Sequence, residues 1–342
     1  MSKNIVFLIY SKVPTGGLKV LFKVGNGLLN RGFNVTYTIA EDEAAFKLEY
    51  QNSCKLVHAP TKVPYRLFSR LGYLLKVNVE SDFVIATYFP TAIAGYFNPK
   101  IKGKLLYYVQ ADETHFFSFR LITLVRRFHY YFFAKLSYLL PIEKIINCEG
   151  SKASLSKKST YMEISPGFDP KIYFPRKRKE GKFRIGHISR VERRKGSEEF
   201  FLAMKQIQEE GIDIEIYIAY DFCKNTKNVV YQSTMPKDEF ELADFYSSCD
   251  VVVSTVWEKG FAYPPLETMA CGALSISTPI DYGQPGKDHI SIPVNDVDAI
   301  KRAIKWVMQN PMEANKIKDA GIETASHYSW DQIIDRWESV LK

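Results

Sequence analysis

Asn4 to Tyr10 is a short, nearly all-apolar run, the pattern of a parallel strand buried on both faces. A turn holding Gly16 and Gly17 follows it. Leu18, Leu21, Phe22, Gly25, Leu28 and Leu29 then recur at helical spacing, and Gly32 supplies a stop signal. Phe33, Val35, Tyr37 and Ile39 alternate with polar residues as a half-buried strand does. Strand, glycine turn, helix, strand is the opening of a doubly wound α/β domain, and few other architectures accommodate it. Further strands are predicted at Asp82–Tyr88, Lys104–Gln110 and Lys144–Cys148.

Pro166, Gly167, Pro170 and Pro175, followed by Arg176-Lys-Arg-Lys179, mark the best linker in the chain. The alternation then restarts, with strands predicted at Phe183–Ser189, Ile212–Tyr220, Asn228–Gln232, Asp250–Val256 and Leu274–Thr278. The expected organisation is a Rossmann-like domain over 1–165, a linker over 166–182 and a second Rossmann-like domain over 183–328. A final amphipathic helix over 329–342 is expected to pack back on the first domain. The fold class is α/β, two doubly wound domains facing a central cleft.

With 342 residues, 46% apolar and 25% charged, the chain has ample material for such cores and is not a disordered protein. No charge-free apolar run approaches the length of about eighteen residues that a transmembrane helix needs. The N-terminus MSKNIVFLIYSK turns polar too early for a signal peptide, so a cytoplasmic location is expected. The five cysteines are scattered, without a C-x-x-C pair, so neither a disulfide framework nor a zinc site is indicated. Residues 1–170 carry 22 Lys plus Arg against 12 Asp plus Glu, whereas residues 171–342 carry 24 against 26. The basic half suits a phosphorylated small molecule, an anionic membrane or nucleic acid, but no nucleic-acid-binding motif accompanies the charge, so no nucleic-acid partner is expected.

Two segments carry chemistry. In DVVVSTVWEKGFAYPPLETMACG, Asp250 to Gly272, an apolar strand ends, a loop with Glu258 and Gly260 follows, and Pro264-Pro265 opens a short helix closed by Gly272. Glu267 is expected in the first turn, either accepting hydrogen bonds from ribose hydroxyls or merely complementing its own helix dipole. In GHISRVERRKG, Gly186 to Gly196, Arg190 leaves the carboxyl end of a strand and Lys195 precedes a helix. Two cations there can neutralise a diphosphate without a metal, though the same spacing also fits a solvated basic loop.

Together these segments resemble glycosyltransferase family 4, whose pattern is Arg, four residues, Lys-Gly, and later E-G-F-G-x-P-x-L-E-A-M-A-C-G. The matches are Arg190 with Lys195-Gly196, then Gly260-Phe261, Pro264-Pro265-Leu266-Glu267 and Met269-Ala270-Cys271-Gly272. Gly16-Gly17 and the Ser329-Trp330 helix also fit. The resemblance implies the GT-B fold and metal-free, retaining sugar transfer from a nucleotide sugar, with no cofactor. Arg190 and Lys195 would hold the donor diphosphate, Glu267 the ribose, and Gly16, Gly17, Gly260, Phe261 and Ala262 would line the donor. Two places depart from the pattern. Glu258 and Glu267 are separated by eight residues where the family has seven, so either the loop bulges and Glu258 serves the sugar, or Lys259 stands in its place. The histidine expected after the Lys104–Gln110 strand is replaced by Gln110, with His115 either its substitute or an ordinary loop residue.

Asp296-Val-Asp298 matches a metal-binding D-x-D, but it opens a helical pattern and reads as a capping device; no metal site is expected. Phe116–Leu140 and Pro64–Lys76 interleave apolar residues with Arg and Lys, fitting either an anionic membrane surface or core helices with basic faces. The expected function is transfer of a sugar to a glycolipid or surface-polysaccharide acceptor, at the inner face of the membrane. The alternatives are a nucleotide-binding partner subunit without turnover and a GT-B-fold sugar-nucleotide epimerase.

Overall fold

The computed structural model describes residues 2–11, 16–40, 55–59, 67–115, 124–152, 155, 159–177, 181–222, 228–257 and 261–342. The chain divides into two compact units, Met1–Pro166 with Trp330–Lys342, and Gly167–Ser329.

The first unit is built on a parallel sheet of β1 (Asn4–Ile9), β2 (Asn34–Ile39), β3 (Lys55–His58), β4 (Val79–Ala86), β5 (Ile101–Val109), β6 (Glu143–Ile146) and β7 (Tyr161–Glu163), in the order β3-β2-β1-β4-β5-β6-β7. Helices α1 (Gly16–Asn30), α2 (Leu67–Leu74), α3 (Phe89–Phe97), α4 (Leu124–Leu139) and α5 (Glu149–Lys152) connect the strands. Because helices cover the sheet, β1 can be apolar on both faces, and Ile5, Phe7 and Leu8 are fully buried. Gly25 is required inside α1, since a Cβ there would collide with the Tyr37 hydroxyl, which donates to the Leu21 carbonyl at 3.3 Å. Gly16 and Gly17 are the first residues of α1 rather than a turn ahead of it.

The second unit repeats the plan with β8 (Phe183–Ile188), β9 (Ile214–Ala219), β10 (Gln232–Thr234), β11 (Val251–Ser254), β12 (Leu274–Ser277) and β13 (Ile290–Ser291), all parallel in the order β10-β9-β8-β11-β12-β13. Its helices are α6 (Ser197–Glu209), α7 (Glu239–Ser247), α8 (Tyr263–Ala270), α9 (Val297–Gln309) and α10 (Pro311–Ser326). The strand expected at Asn228–Gln232 lies later, at Gln232–Thr234, and Asn228 itself, at φ 79°, is outside the extended region. The segment read as a linker is structured at its start, where Phe168 and Tyr173 are buried in the second unit's core. Asp296 caps α9, its carboxylate accepting from the Ala299 N–H at 2.8 Å, which accounts for the D-x-D sequence.

The last helix, α11 (Trp330–Leu341), belongs to the first unit and buries Ile333, Ile334, Trp337 and Leu341. Ile334 fills the space left by Gly27 of α1, and Trp337 meets Tyr108 of β5 edge-on at 5.0 Å. Arg31, just past α1, pairs with Asp335 at 2.6 Å. Trp337→Ala should lower stability by about 3–5 kcal/mol through the cavity it opens, read as a shifted urea midpoint. A change below about 1 kcal/mol would mean that α11 contributes little to the fold.

Candidate functional site

In a doubly wound sheet the crevice for ligands lies where the strand order reverses, beyond the carboxyl ends of the strands. The second unit reverses between β8 and β11. Arg190 and Lys195 follow β8, Tyr220 follows β9, and Thr255 follows β11, so all four lie at that edge of the sheet.

The loop from β8 to α6 is fixed by contacts to the end of β11. Gly196 has φ 69°, and a Cβ there would strike the carbonyl oxygen of Thr255, so both the conformation and the close approach require glycine. The Thr255 hydroxyl bonds the carbonyls of Lys195 and Gly196 at 3.1 and 2.8 Å, and the Trp257 N–H donates to the Arg194 carbonyl at 2.8 Å. Behind the loop, His187 Nδ1 lies 2.8 Å from the Val253 carbonyl, which only a donor can satisfy. Its Nε2 is therefore an acceptor for the Ser197 hydroxyl at 3.0 Å, and Ser197 Oγ in turn accepts the Arg190 N–H at 3.0 Å. Burial holds the imidazole neutral, its pKa lowered to about 4, and the ring stacks on Phe200 at 4.3 Å. A chain of three hydrogen bonds thus runs from β11 through β8 and α6 to the backbone of Arg190.

The Arg190 guanidinium lies 4.8 Å from the centre of the Tyr220 ring. Tyr220 reaches that place at φ 57°, a conformation costly for a bulky side chain and more often met at functional sites than elsewhere. Lys195 ends the short turn Arg193–Lys195. Arg193 is committed within the unit, to Glu199 at 2.5 Å and over the Trp257 ring at 4.4 Å.

Glu267 is the fifth residue of α8, not in its first turn as expected, because the helix starts at Tyr263, one residue before Pro264. Its buried carboxylate accepts from the Tyr246 hydroxyl at 2.8 Å and from Tyr173. Burial raises its pKa to about 7, against the hydrogen bonds of Tyr246 and Tyr173 and the charge of Arg190. Phe261 and Ala262 lead into α8: the Phe261 ring packs on Tyr282 at 5.1 Å, and Tyr282 donates to the Ala262 carbonyl. Glu258, Lys259 and Gly260 lie outside the described residues.

The first unit reverses between β1 and β4, and there the α1 start meets the end of β5. A Cβ on Gly17 would sit 3.0 Å from Oε1 of Gln110. Gln110 is held from behind, its carbonyl accepting from Asn147 Nδ2 at 2.6 Å, while Asn147 accepts from Ser151 at 2.7 Å. The same loop is anchored by Glu113, whose carboxylate accepts from Tyr107 at 2.9 Å and from the Phe89 N–H at the start of α3 at 2.7 Å. Burial pushes the Glu113 pKa up to about 8. His115 ends the short turn Glu113–His115, and its side chain is outside the described residues. Gly17 and Gln110 are thus brought together within the first unit. Arg190, Lys195 and Glu267 all belong to the second.

His187, Ser197, Thr255 and Tyr220 were not singled out from the sequence. Thr255 and Tyr220 close apolar strand runs, and that position at a carboxyl end was the available signal.

Residues 182–310 match the family model described as Glycosyl transferases group 1. Comparison with curated proteins gave no match. Among solved structures, sucrose-phosphate synthase from Thermosynechococcus elongatus is similar over 99% of this chain and 98% of its own, with 16% identity and a TM-score of 0.79. Anabaena HepE in complex with UDP-glucose is similar over 99% of both chains, with 16% identity and a TM-score of 0.73. The lipopolysaccharide outer core galactosyltransferase WaaB is similar over 99% of both, with 12% identity and a TM-score of 0.71. The chain has the GT-B fold, and the match to the glycosyl transferases group 1 model lies within its second unit.

Ser197→Ala leaves both the Arg190 N–H and His187 Nε2 without their partner and should cost about 1–3 kcal/mol in a urea melt, where no loss would contradict the hydrogen-bond chain. Glu267 keeps its proton in the folded chain from its ordinary 4.5 up to about 7, while the unfolded chain loses it, so this group makes stability fall as pH rises through that window. His187 acts in the opposite sense. The difference between Glu267→Gln and the wild type isolates the glutamate, and the variant should gain stability relative to wild type as pH rises from 4.5 to about 7, levelling off above. A constant difference across that range would contradict the raised value.

Proposed function

We propose that the chain is a retaining, metal-independent glycosyltransferase that moves a sugar from a nucleotide-sugar donor to a glycolipid or surface-polysaccharide acceptor. The observation that carries this reading is the rigid presentation of Arg190 and Lys195 at the switch point of the second unit, beside Tyr220 and within electrostatic reach of Glu267. A cation positioned by its surroundings before charge develops stabilises a departing phosphate without reorganisation. In this reading Arg190 and Lys195 hold the donor diphosphate, and Glu267 takes the ribose hydroxyls. Phe261, Ala262 and Gly260 line the donor, and Gly16 and Gly17 allow its phosphate or sugar to approach the α1 backbone.

The bond from the anomeric carbon to the diphosphate oxygen breaks, and the acceptor oxygen forms the new bond on the same face. The acceptor proton passes to the departing phosphate. Retention follows the resemblance to family 4, with Glu258 and either Gln110 or His115 contacting the transferred sugar. The nucleotide-sugar donor is supported by the UDP-glucose bound to HepE, and the lipid-linked acceptor by the likeness to WaaB. An acceptor at the inner face of a membrane accords with the basic first half of the chain.

Incubated with nucleotide sugars, UDP-glucose first, and a panel of glycan and lipid-linked acceptors, the protein should release nucleotide only when an acceptor is present, and a chelator should not diminish the rate. Arg190→Ala and Lys195→Ala should each lower kcat by about 10²-fold or more. Nucleotide binding without transfer to any acceptor would instead indicate a subunit without turnover. Near-normal turnover in both variants would contradict the assignment of the two cations.

A further inference from the structure

Helix α4 is apolar on two faces. Ala134, Ser137 and Tyr138 are buried on the core side. Phe128, Tyr131, Phe132 and Leu139 recur at helical spacing on the other side, exposed by 67%, 48%, 51% and 68%. Phe128 and Phe132 stack at 6.4 Å, Phe132 meets Phe133 at 5.6 Å, and Phe133 meets Phe68 of α2 edge-on at 6.1 Å. Phe68 is itself 64% exposed, so the apolar patch continues from α4 onto α2. A helix that is apolar all round is ordinarily enclosed, and a contiguous exposed aromatic patch marks an interaction surface.

The charge of the sequence segments that carry the patch selects the partner. From Tyr50 through Val79 the sequence has five Lys or Arg, of which Arg70 is buried against Tyr10, and no Asp or Glu, and from Thr114 through Ile142 it has four and none. Arg126 and Arg127 are in the first turn of α4, and Lys135 lies along the exposed stripe with its ammonium 5.9 Å from the Tyr131 ring. Exposed aromatic rings interleaved with cations, in stretches free of acidic residues, complement the acyl boundary and the anionic headgroups of a bilayer. No described helix is long and apolar enough to cross a membrane, so α4 would lie along the surface rather than span it. We propose that the α2–α4 face of the first unit docks on an anionic lipid surface, with Phe68, Phe128, Phe132 and Leu139 entering the headgroup boundary and Lys135 pairing with lipid phosphate. This names the membrane face for the function proposed above, though the docking itself does not require bound nucleotide.

The test is flotation of the full chain with phosphatidylcholine vesicles containing about a third phosphatidylglycerol, against phosphatidylcholine alone. The protein should float with the anionic vesicles only, and less so as salt is raised. Phe128→Ser with Phe132→Ser should reduce the bound fraction roughly tenfold, and Lys135→Glu should reduce it severalfold. Phe128 and Phe132 are exposed and Lys135 is half-buried outside the core cluster, so thermal melts should stay close to the wild type, and any UDP-glucose-induced rise in Tm should persist in both variants. A lost Tm response with normal flotation would count against the donor site and leave the docking face standing. Failure to float with anionic vesicles, or flotation unchanged in the paired Phe variant, would overturn the proposal. So would a wild-type dimer in sedimentation that the Phe variants dissolve, because the patch would then be a contact between copies.

Discussion

The close approach of Gly196 to the Thr255 carbonyl determines what the second unit can do. It joins the loop after β8 to the end of β11 at the place where the strand order reverses, and it leaves no room for a side chain. The Thr255 hydroxyl bonds two carbonyls of the same loop, and the His187–Ser197–Arg190 chain fixes it from beneath. A loop tied down at this many points presents its side chains in a fixed arrangement, the property that the proposed diphosphate site relies on. The strained Tyr220 under the Arg190 guanidinium belongs to the same arrangement.

Much of the fold was legible because parallel strands covered on both faces are written as unbroken apolar runs. Asn4–Tyr10, Phe183–Ser189 and Leu274–Thr278 coincide with β1, β8 and β12 to within one residue at each end. The strands that did not show are β3, β7 and β13, which are short and lie at or near sheet edges. With few neighbours to bury against, Lys55–His58 and Tyr161–Glu163 keep mixed composition and give no periodic signal. Helix α8 starts one residue before Pro264, which places Glu267 past its first turn, and the tyrosines that bond its carboxylate, Tyr246 and Tyr173, come from distant parts of the sequence.

What the sequence spacing conveyed was position: Arg190, Lys195 and Gly196 follow β8 at the carboxyl edge of the second sheet. The sequence did not disclose which groups hold those residues in place. Ser197 and His187 are ten residues apart and meet only because α6 returns over β8, and Val253 and Thr255 reach the loop only through the pairing of β8 with β11. Gln110 was visible as a replacement for a histidine, but its contact with Gly17 depends on β1 and β5 flanking β4 in the sheet.

The most direct test of the diphosphate site is a crystal structure of the chain with a nucleotide sugar, grown in chelator. The account predicts the diphosphate oxygens within hydrogen-bond distance of the Arg190 guanidinium and the Lys195 ammonium, with the ribose against Glu267. A diphosphate bound away from both cations, or held through a metal ion when the chelator is omitted, would contradict it.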